Sequence, residues 1–468
     1  MAYTIETFTS FDTAKAADLK NLHDGQWTSI LDPGALVAGW AGSGQALHQP
    51  TDLYYVNGTL TSDGMLCRVR WRPNALPNNP GDNPGIVLFF FSGGAGVTLA
   101  LTEASLLTVA RGYNFGVGGA SWLQTGTATI VADGSTWYDL ELAVKCHDAT
   151  GMFEVRVDGE AVQALTQANV DTQDGVNPVF DSCGVGNALD VNYSLNADYD
   201  DFVLTVGTGA FVNGDFLTST AVGAERGPFI ATMFPLVQGL YAQFANVTGT
   251  GSHHLEVDEP ILDDDTSYLN DPDGAKRESF IFGPTPAGTT SIVAVKVNNW
   301  VKGVWNNTGA NFLRIAGVNY DSAQGGVANF GSTFYAERSV IWTTNPATAA
   351  IWTVGGVNNL ETGLLTPDLS GALYERLSCS NYELLFWATA QLPPYPPVVI
   401  VPITATTRLA LHGSVPRWEA EQGRTPEFSA QVTSPARMAA MEGKMPEVNA
   451  GKGNVARFDL LRGMTPRG

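Results

Sequence analysis

Apolar and polar residues alternate with a period of two along much of the chain, the pattern of a strand with one buried face. In Tyr138-Asp139-Leu140-Glu141-Leu142-Ala143-Val144-Lys145 the core-facing set is Tyr138, Leu140, Leu142 and Val144. Phe153-Glu154-Val155-Arg156-Val157 repeats the alternation and runs into Asp158-Gly159, a tight-turn dipeptide; Asn57-Gly58 follows Tyr54-Tyr55-Val56 in the same way. The longest apolar run, Ile86 to Phe91, is far short of the about twenty residues of a membrane helix and predicts a buried strand. No helix-period stretch matches these in strength, apart from a short turn around Thr13 to Leu22. The pattern predicts an all-β protein, with residues 1–207 as an antiparallel sandwich.

The far end is patterned differently. Beyond Thr404 a ten-residue repeat sets Gly413, Gly423, Gly443, Gly453 and Gly463 in one column and Pro416, Pro426, Pro446 and Pro466 three residues later. Trp418, Phe428, Met438, Val448 and Phe458 form an apolar column, with Ala420, Ala430, Ala440, Ala450 and Leu460 two positions on. Each unit reads as a strand of about six residues and a Gly-x-x-Pro reversal. Two-residue hairpins would put equivalent columns on opposite faces, so the repeats require odd-length loops or parallel stacking. A meander, or strands shared between subunits, meets that requirement. The Pro-rich stretch Leu392-Pro393-Pro394-Tyr395-Pro396-Pro397 reads as a semi-rigid linker over 392–403, leaving 404–468 as a β module for anchoring or oligomerisation.

Composition narrows the function. The 468 residues are 44% apolar and 15% charged, with 51 glycines, which excludes a disordered acidic chain and a coiled coil. A net charge of −21 opposes binding to phosphate backbones, so no nucleic-acid partner is expected. Residues 400–468 break the trend, with nine Lys or Arg against six Asp or Glu. The N-terminal residues lack a basic start and a sustained apolar stretch; synthesis in a host cytoplasm, without membrane insertion, is the expectation. Cys67, Cys146, Cys183 and Cys379 are scattered without a CxxC pair and read as buried thiols, and no cofactor or metal is expected.

Certain segments carry a resemblance. Trp137 to Leu142, Phe153 to Glu160 and Tyr199-Asp200-Asp201-Phe202-Val203-Leu204 resemble, in that order, concanavalin- and laminin-G-like jelly-roll domains. Asn213 to Leu217, Val257-Asp258-Glu259-Pro260, Asp263 to Tyr268, Val293 to Val297, Asn319 to Ser322, Trp342 to Pro346 and Trp352 to Gly363 resemble a β domain that recurs in structural proteins of tailed bacteriophages. The resemblance implies two tandem jelly-roll-like β-sandwiches, residues 1–207 and 208–391, in a non-enzymatic virion protein, a surface decoration or fibre-like subunit. Its implied partners are other capsid or tail proteins, copies of itself with a trimer one arrangement, and host surface glycan.

Glu154, Asp158 and Glu160, and Glu256, Asp258 and Glu259 beside Asp263, Asp264 and Asp265, are acidic groups without a spaced glycosidase signature. The acidic cluster from Glu256 to Asp265, with Asp198, Asp200 and Asp201, has the oxygen ligands Ca²⁺ takes, but its spacing favours a solvated acidic loop. His253-His254, read as adjacent strand positions, point to opposite faces and are expected at the surface. Trp300 and Trp305, in an Asn-rich setting, are the candidate glycan-stacking residues, with core packing as the competing role. The column Trp418, Phe428, Met438, Val448 and Phe458 is the candidate assembly face. The rival functions are a glycan-cleaving tailspike-type hydrolase and a carbohydrate-binding module of a bacterial protein.

Overall fold

The computed structural model describes residues 3–11, 27–29, 35–39, 45–48, 53–56, 62–77, 85–91, 96–111, 121–173, 179–186, 196–212, 217, 227–247, 251–260, 262–263, 265–303, 309–323, 335–358, 360–366, 375–388, 428–431, 449–450 and 455–458. Among these the chain is almost entirely antiparallel strand, with one four-residue α-helix, Val354–Val357, and a 3-10 turn, His253–Glu256. Residues 1–399 form one compact unit and 400–468 a second.

Among the described residues, four sheets build the first unit. Sheet I runs Glu160–Val170, Gly151–Val157, Tyr138–Lys145, Gly64–Pro73, Ala197–Gly207, Gln45–His48, Ala35–Ala38, with Tyr3–Thr9 also paired to Ala197–Gly207. Sheet II runs Ser121–Thr129, Leu106–Arg111, Gly96–Leu101, Gly85–Phe91, Phe180–Val185, Leu53–Val56, Trp27–Ser29. Sheet III runs Ala245–Asn246, Leu269–Asp271, Glu375–Ala388, Thr289–Gly303, Ala336–Trp342, with Phe229–Met233 on Glu375–Ala388. Sheet IV runs Pro235–Ala242, Arg277–Phe282, Glu361–Leu365, Ala310–Ile315, Val318–Asp321.

The alternation fixes what each sheet buries. Tyr138, Leu140, Leu142 and Val144 join Met65, Cys67, Val69 and Trp71 in the core between sheets I and II, with Ile86, Val87 and Phe89 opposite. The predicted hairpin closes with Val157 paired to Glu160 around Asp158 (φ 54°) and Gly159 (φ 85°), both left-handed as a type I′ turn demands. Between sheets III and IV, Val295, Val297, Leu384 and Phe386 face Phe280, Phe282, Leu313 and Leu364. Each such fully buried side chain contributes about 1.5–3 kcal/mol.

The outer face of sheet I is not solvated as simple alternation implies. Asp139, Glu141, Arg68 and Arg70 are all buried, because the start of the second sandwich lies over them. The Leu217 N–H donates to Glu141 Oε1 at 2.7 Å, Phe211 packs on Leu66 and Ala143, and the Arg70 guanidinium sits 4.6 Å over the Phe229 ring. The buried arginines are matched by acids of the same sheet, Arg68 by Asp139 and Arg70 by Asp201. The two sandwiches therefore share a buried junction inside one unit rather than standing as separate beads.

In the 400–468 unit, Phe428–Gln431 and Asn449–Ala450 both pair with Val455–Phe458, in antiparallel register. Phe428 lies opposite Phe458 and Ala430 opposite Ala456. Two members of the apolar column are thus register partners; Trp418, Met438, Val448 and the 392–403 linker lie outside the described residues.

Candidate functional site

Trp300 is 0% exposed, on the outward face of Thr289–Gly303, in one apolar cluster with Tyr335, Cys379, Leu262 and the core of the first sandwich. Neither face of its indole is open to a sugar, which removes it as a stacking platform; Trp305 lies outside the described residues. The acidic loop is not simply solvated: Glu256 and Glu259 are buried, and Ser267 Oγ donates to Glu259 Oε1 at 3.0 Å and to Asp263 Oδ2 at 2.8 Å. Asp265 faces Lys302 and Arg376, each at 2.6 Å, with the Tyr335 hydroxyl at 2.9 Å; burial alone would raise its pKa, and these donors instead bring it down to about 2. Asp198 is engaged by Arg72 and by His48 at 2.5 Å. No cluster of three metal-ligating side chains occurs among the described residues. His253 is no surface ornament either: it sits on the 3-10 turn, and its Nδ1 lies 2.9 Å from Oε1 of the buried Glu278.

The best-formed open constellation lies on the outer face of sheet IV. Register brings Ser279, Gly363 and Phe312 into one row and Ile281, Glu361 and Arg314 into the next, with Asp321 and Asn319 completing the rows at the edge. Gly363 leaves its row without a side chain. The strand Pro235–Ala242 loses register between Gln238 and Ala242 and folds over the sheet there. Ser279 Oγ accepts the Tyr241 N–H at 3.0 Å, and Glu361 Oε1 accepts the Leu240 N–H at 2.6 Å. A Cβ at Gly239 would collide with the same Glu361 and Ser279 oxygens, so a glycine is needed for the close approach.

This fold-over sets the Tyr241 ring against Phe312, centroids 6.0 Å apart and edge-on. Asn319 Nδ2 donates to the Tyr241 hydroxyl at 2.9 Å, and Arg314 Nη1 donates to Asn319 Oδ1 at 2.9 Å. Arg277 lies 4.8 Å from the Phe312 centroid and makes a two-pronged contact with Asp321, both arms 2.7 Å. That carboxylate raises the Arg277 pKa further, against the effect of burial. Arg314 lies 5.6 Å from the Tyr241 centroid and 3.5 Å from Glu361. Tyr241, Arg277, Arg314, Asn319 and Glu361 are half-buried, while Leu236, Val237, Leu240, Ile281 and Val318 on the same sheet are exposed. An aromatic ring held by hydrogen bonds, two guanidinium groups and amide and carboxylate acceptors can meet both the C–H and the O–H surface of a polyhydroxylated ligand. None of these residues was singled out from sequence as a binding residue. The available signal was Gly239 and Gly363 inside strand patterns, a mark of a bulge or close backbone approach.

The fold and this face define an all-β protein of packed antiparallel sandwiches. No protein-family model matches the chain, and no curated protein matches it. Among solved structures it is similar to domain 4 of AbnA, a GH43 extracellular arabinanase from Geobacillus stearothermophilus in complex with arabinotriose, at 15% identity and a TM-score of 0.30 over 45% of this chain and 96% of that one. It is similar to Trypanosoma rangeli sialidase in complex with the inhibitor DANA at 13% identity and a TM-score of 0.26, over 34% of this chain and 25% of the sialidase. A third neighbour, alginate lyase vAL-1 from Chlorella virus, gives 10% identity and a TM-score of 0.29 over 39% of this chain and 93% of that one. Each alignment spans less than half of the chain and assigns no residue a role.

Proposed function

We propose that the chain is a non-enzymatic structural subunit of a tailed-phage particle that presents the outer face of sheet IV to host-surface glycan. The observation that carries the binding role is the Tyr241 ring, folded over the Gly363 row and held between Arg277, Arg314 and Asn319. The particle role rests on the resemblance of the two sandwiches and on the ten-residue repeat, whose apolar column places Phe428 opposite Phe458 across an antiparallel pair. Displayed in many copies, a weak glycan site gains avidity from the particle.

The test uses the full chain on immobilised bacterial surface polysaccharides, with Tyr241→Ala as the comparison and product analysis run alongside. Retained binding by the parent chain and at least tenfold weaker binding by Tyr241→Ala support the reading. Equal binding by both removes sheet IV from it, and release of oligosaccharide that depends on Glu361 or Asp321 replaces it with a hydrolase. Immunogold labelling of particles checks the location; particles free of label overturn the structural role.

A further inference from the structure

At the junction between the sandwiches the outward face of sheet III holds a buried lysine that the glycan reading does not use. The Lys296 side chain is 1% exposed, and its Nζ lies 2.9 Å from Glu383 Oε2, 3.0 Å from Glu337 Oε1 and 2.9 Å from the Phe8 carbonyl. Lys296 and Glu383 are register partners on neighbouring strands, so their approach is built into the sheet. Apolar groups close the site: Phe8, Val203, Leu217, Ile230, Ala294 and Leu385 form one buried cluster over it. The far carboxylate oxygen, Glu383 Oε1, accepts two hydrogen bonds from Ser10 of the first sandwich, from its N–H at 2.8 Å and its Oγ at 3.0 Å.

This is the arrangement of a nucleophile, an acyl group, an oxyanion site and a proton shuttle. We propose that Lys296 and Glu383 condense to an intramolecular amide, with Glu337 carrying the proton and Ser10 stabilising the developing oxyanion on Oε1. The Lys296 ammonium passes one proton to Glu383 Oε2, giving a neutral amine and a neutral acid. The nitrogen lone pair adds to the Glu383 carboxyl carbon while a second N–H proton moves to Glu337. The tetrahedral centre then breaks its C–Oε2 bond as Glu337 returns that proton to the departing hydroxyl. One C–N bond forms, one C–O bond breaks, one water leaves and Glu337 ends as it began. No oxidant, metal or co-reactant is required.

Preorganisation supplies the driving terms. Nζ is held 2.9 Å from Glu383 Oε2, which lowers the entropic cost of bringing nucleophile and acyl group together, and two donors already point at the oxygen where charge develops. Burial pushes the Lys296 pKa down, but the two carboxylates more than offset it and keep the ammonium charged. Condensation therefore proceeds through the minor neutral pair and is slow on the scale of folding.

Intact mass spectrometry of the full-length chain, sampled over one week after folding, tests the proposal. The expected result is a growing species lighter by one water, which on proteolysis yields a branched peptide joining Lys296 to Glu383. Lys296→Met abolishes the loss, and Glu337→Gln slows it by roughly a hundredfold through removal of the proton shuttle. A chain that keeps its full sequence mass for the week overturns the proposal, as does a water loss that maps elsewhere. A buried ion pair with a purely structural role leaves the mass unchanged, and the result is independent of whether sheet IV binds glycan.

Discussion

Truncating Trp300 to alanine separates a core tryptophan from a ligand platform. The indole is fully buried on the outward face of its strand, between register partners Glu337 and Cys379. Trp side chains bury about 200 Å²; at about 25 cal/mol per Å² their removal forfeits roughly 5 kcal/mol of transfer free energy. The indole N–H finds no acceptor, a penalty of about 1–3 kcal/mol that the parent already carries and the variant sheds. The net expectation for Trp300→Ala is a loss of about 2–4 kcal/mol, comparable to large-to-small core changes. Trp300→Phe, which keeps a ring in place and removes the orphan N–H, is expected to cost less than half as much. Urea unfolding followed by fluorescence and circular dichroism measures both, with coincident transitions as the check on a single cooperative step. A Trp300→Ala chain within about 0.5 kcal/mol of the parent, as for an ordinary surface change, refutes the burial argument. Weakened glycan binding alongside unchanged stability would return the indole to the surface.

Three further outcomes follow from particular contacts. In Gly363→Ala the new Cβ meets the Glu278 carbonyl and the Ser279 Cα, backbone atoms that cannot swing away, so soluble yield should collapse relative to the parent; full recovery of folded protein contradicts the packing described. His253 has its pKa raised by the hydrogen bond to Glu278, against desolvation. A raised folded value means the stabilisation is fully present below the unfolded pKa of about 6.5 and fades as pH rises through the folded value. The unfolding midpoint should therefore fall across that window in the parent and stay flatter in His253→Gln. Asp265 has the opposite sign: its folded pKa of about 2 lies below the unfolded value, so its contribution is present above about pH 4 and is lost as pH falls toward 2. Asp265→Asn should remove part of the acid sensitivity in a pH series of unfolding midpoints.

Much of the fold was legible because alternation reports burial directly. The apolar sets of Tyr138 to Val144 and Phe153 to Val157 face the core as read, and the Asp158-Gly159 turn has the left-handed geometry its residues favour. The polar half of each strand misled, because alternation cannot distinguish water from a second sandwich as the neighbour of a charged face. Trp300 takes the core-packing role weighed against stacking, although it occupies a polar-face position among asparagines that only the neighbouring sandwich makes interior. The sheet IV face depends on a strand losing register and on the pairing of residues some 80 to 120 positions apart, such as Ser279 and Leu240 with Glu361, which no local pattern encodes.

The junction shows how two polar faces are buried against each other at tolerable cost. Removing charges from water costs several kcal/mol per ion unless each finds a well-placed partner. The described ion pairs at this junction lie within one sheet: Arg68 with Asp139 and Arg70 with Asp201 in sheet I, Lys296 with Glu337 and Glu383 in sheet III. What crosses from one sandwich to the other is neutral on one side, the Ser10 N–H and hydroxyl on Glu383, the Phe8 carbonyl on Lys296, the Leu217 N–H on Glu141 and the Phe229 ring under Arg70. Each sheet thus pairs its own buried cations within itself, and docking trades water for backbone and hydroxyl partners at fixed positions. Because backbone groups cannot be repositioned by a rotamer change, these contacts set the register of one sandwich on the other more narrowly than flexible ion pairs across the gap would.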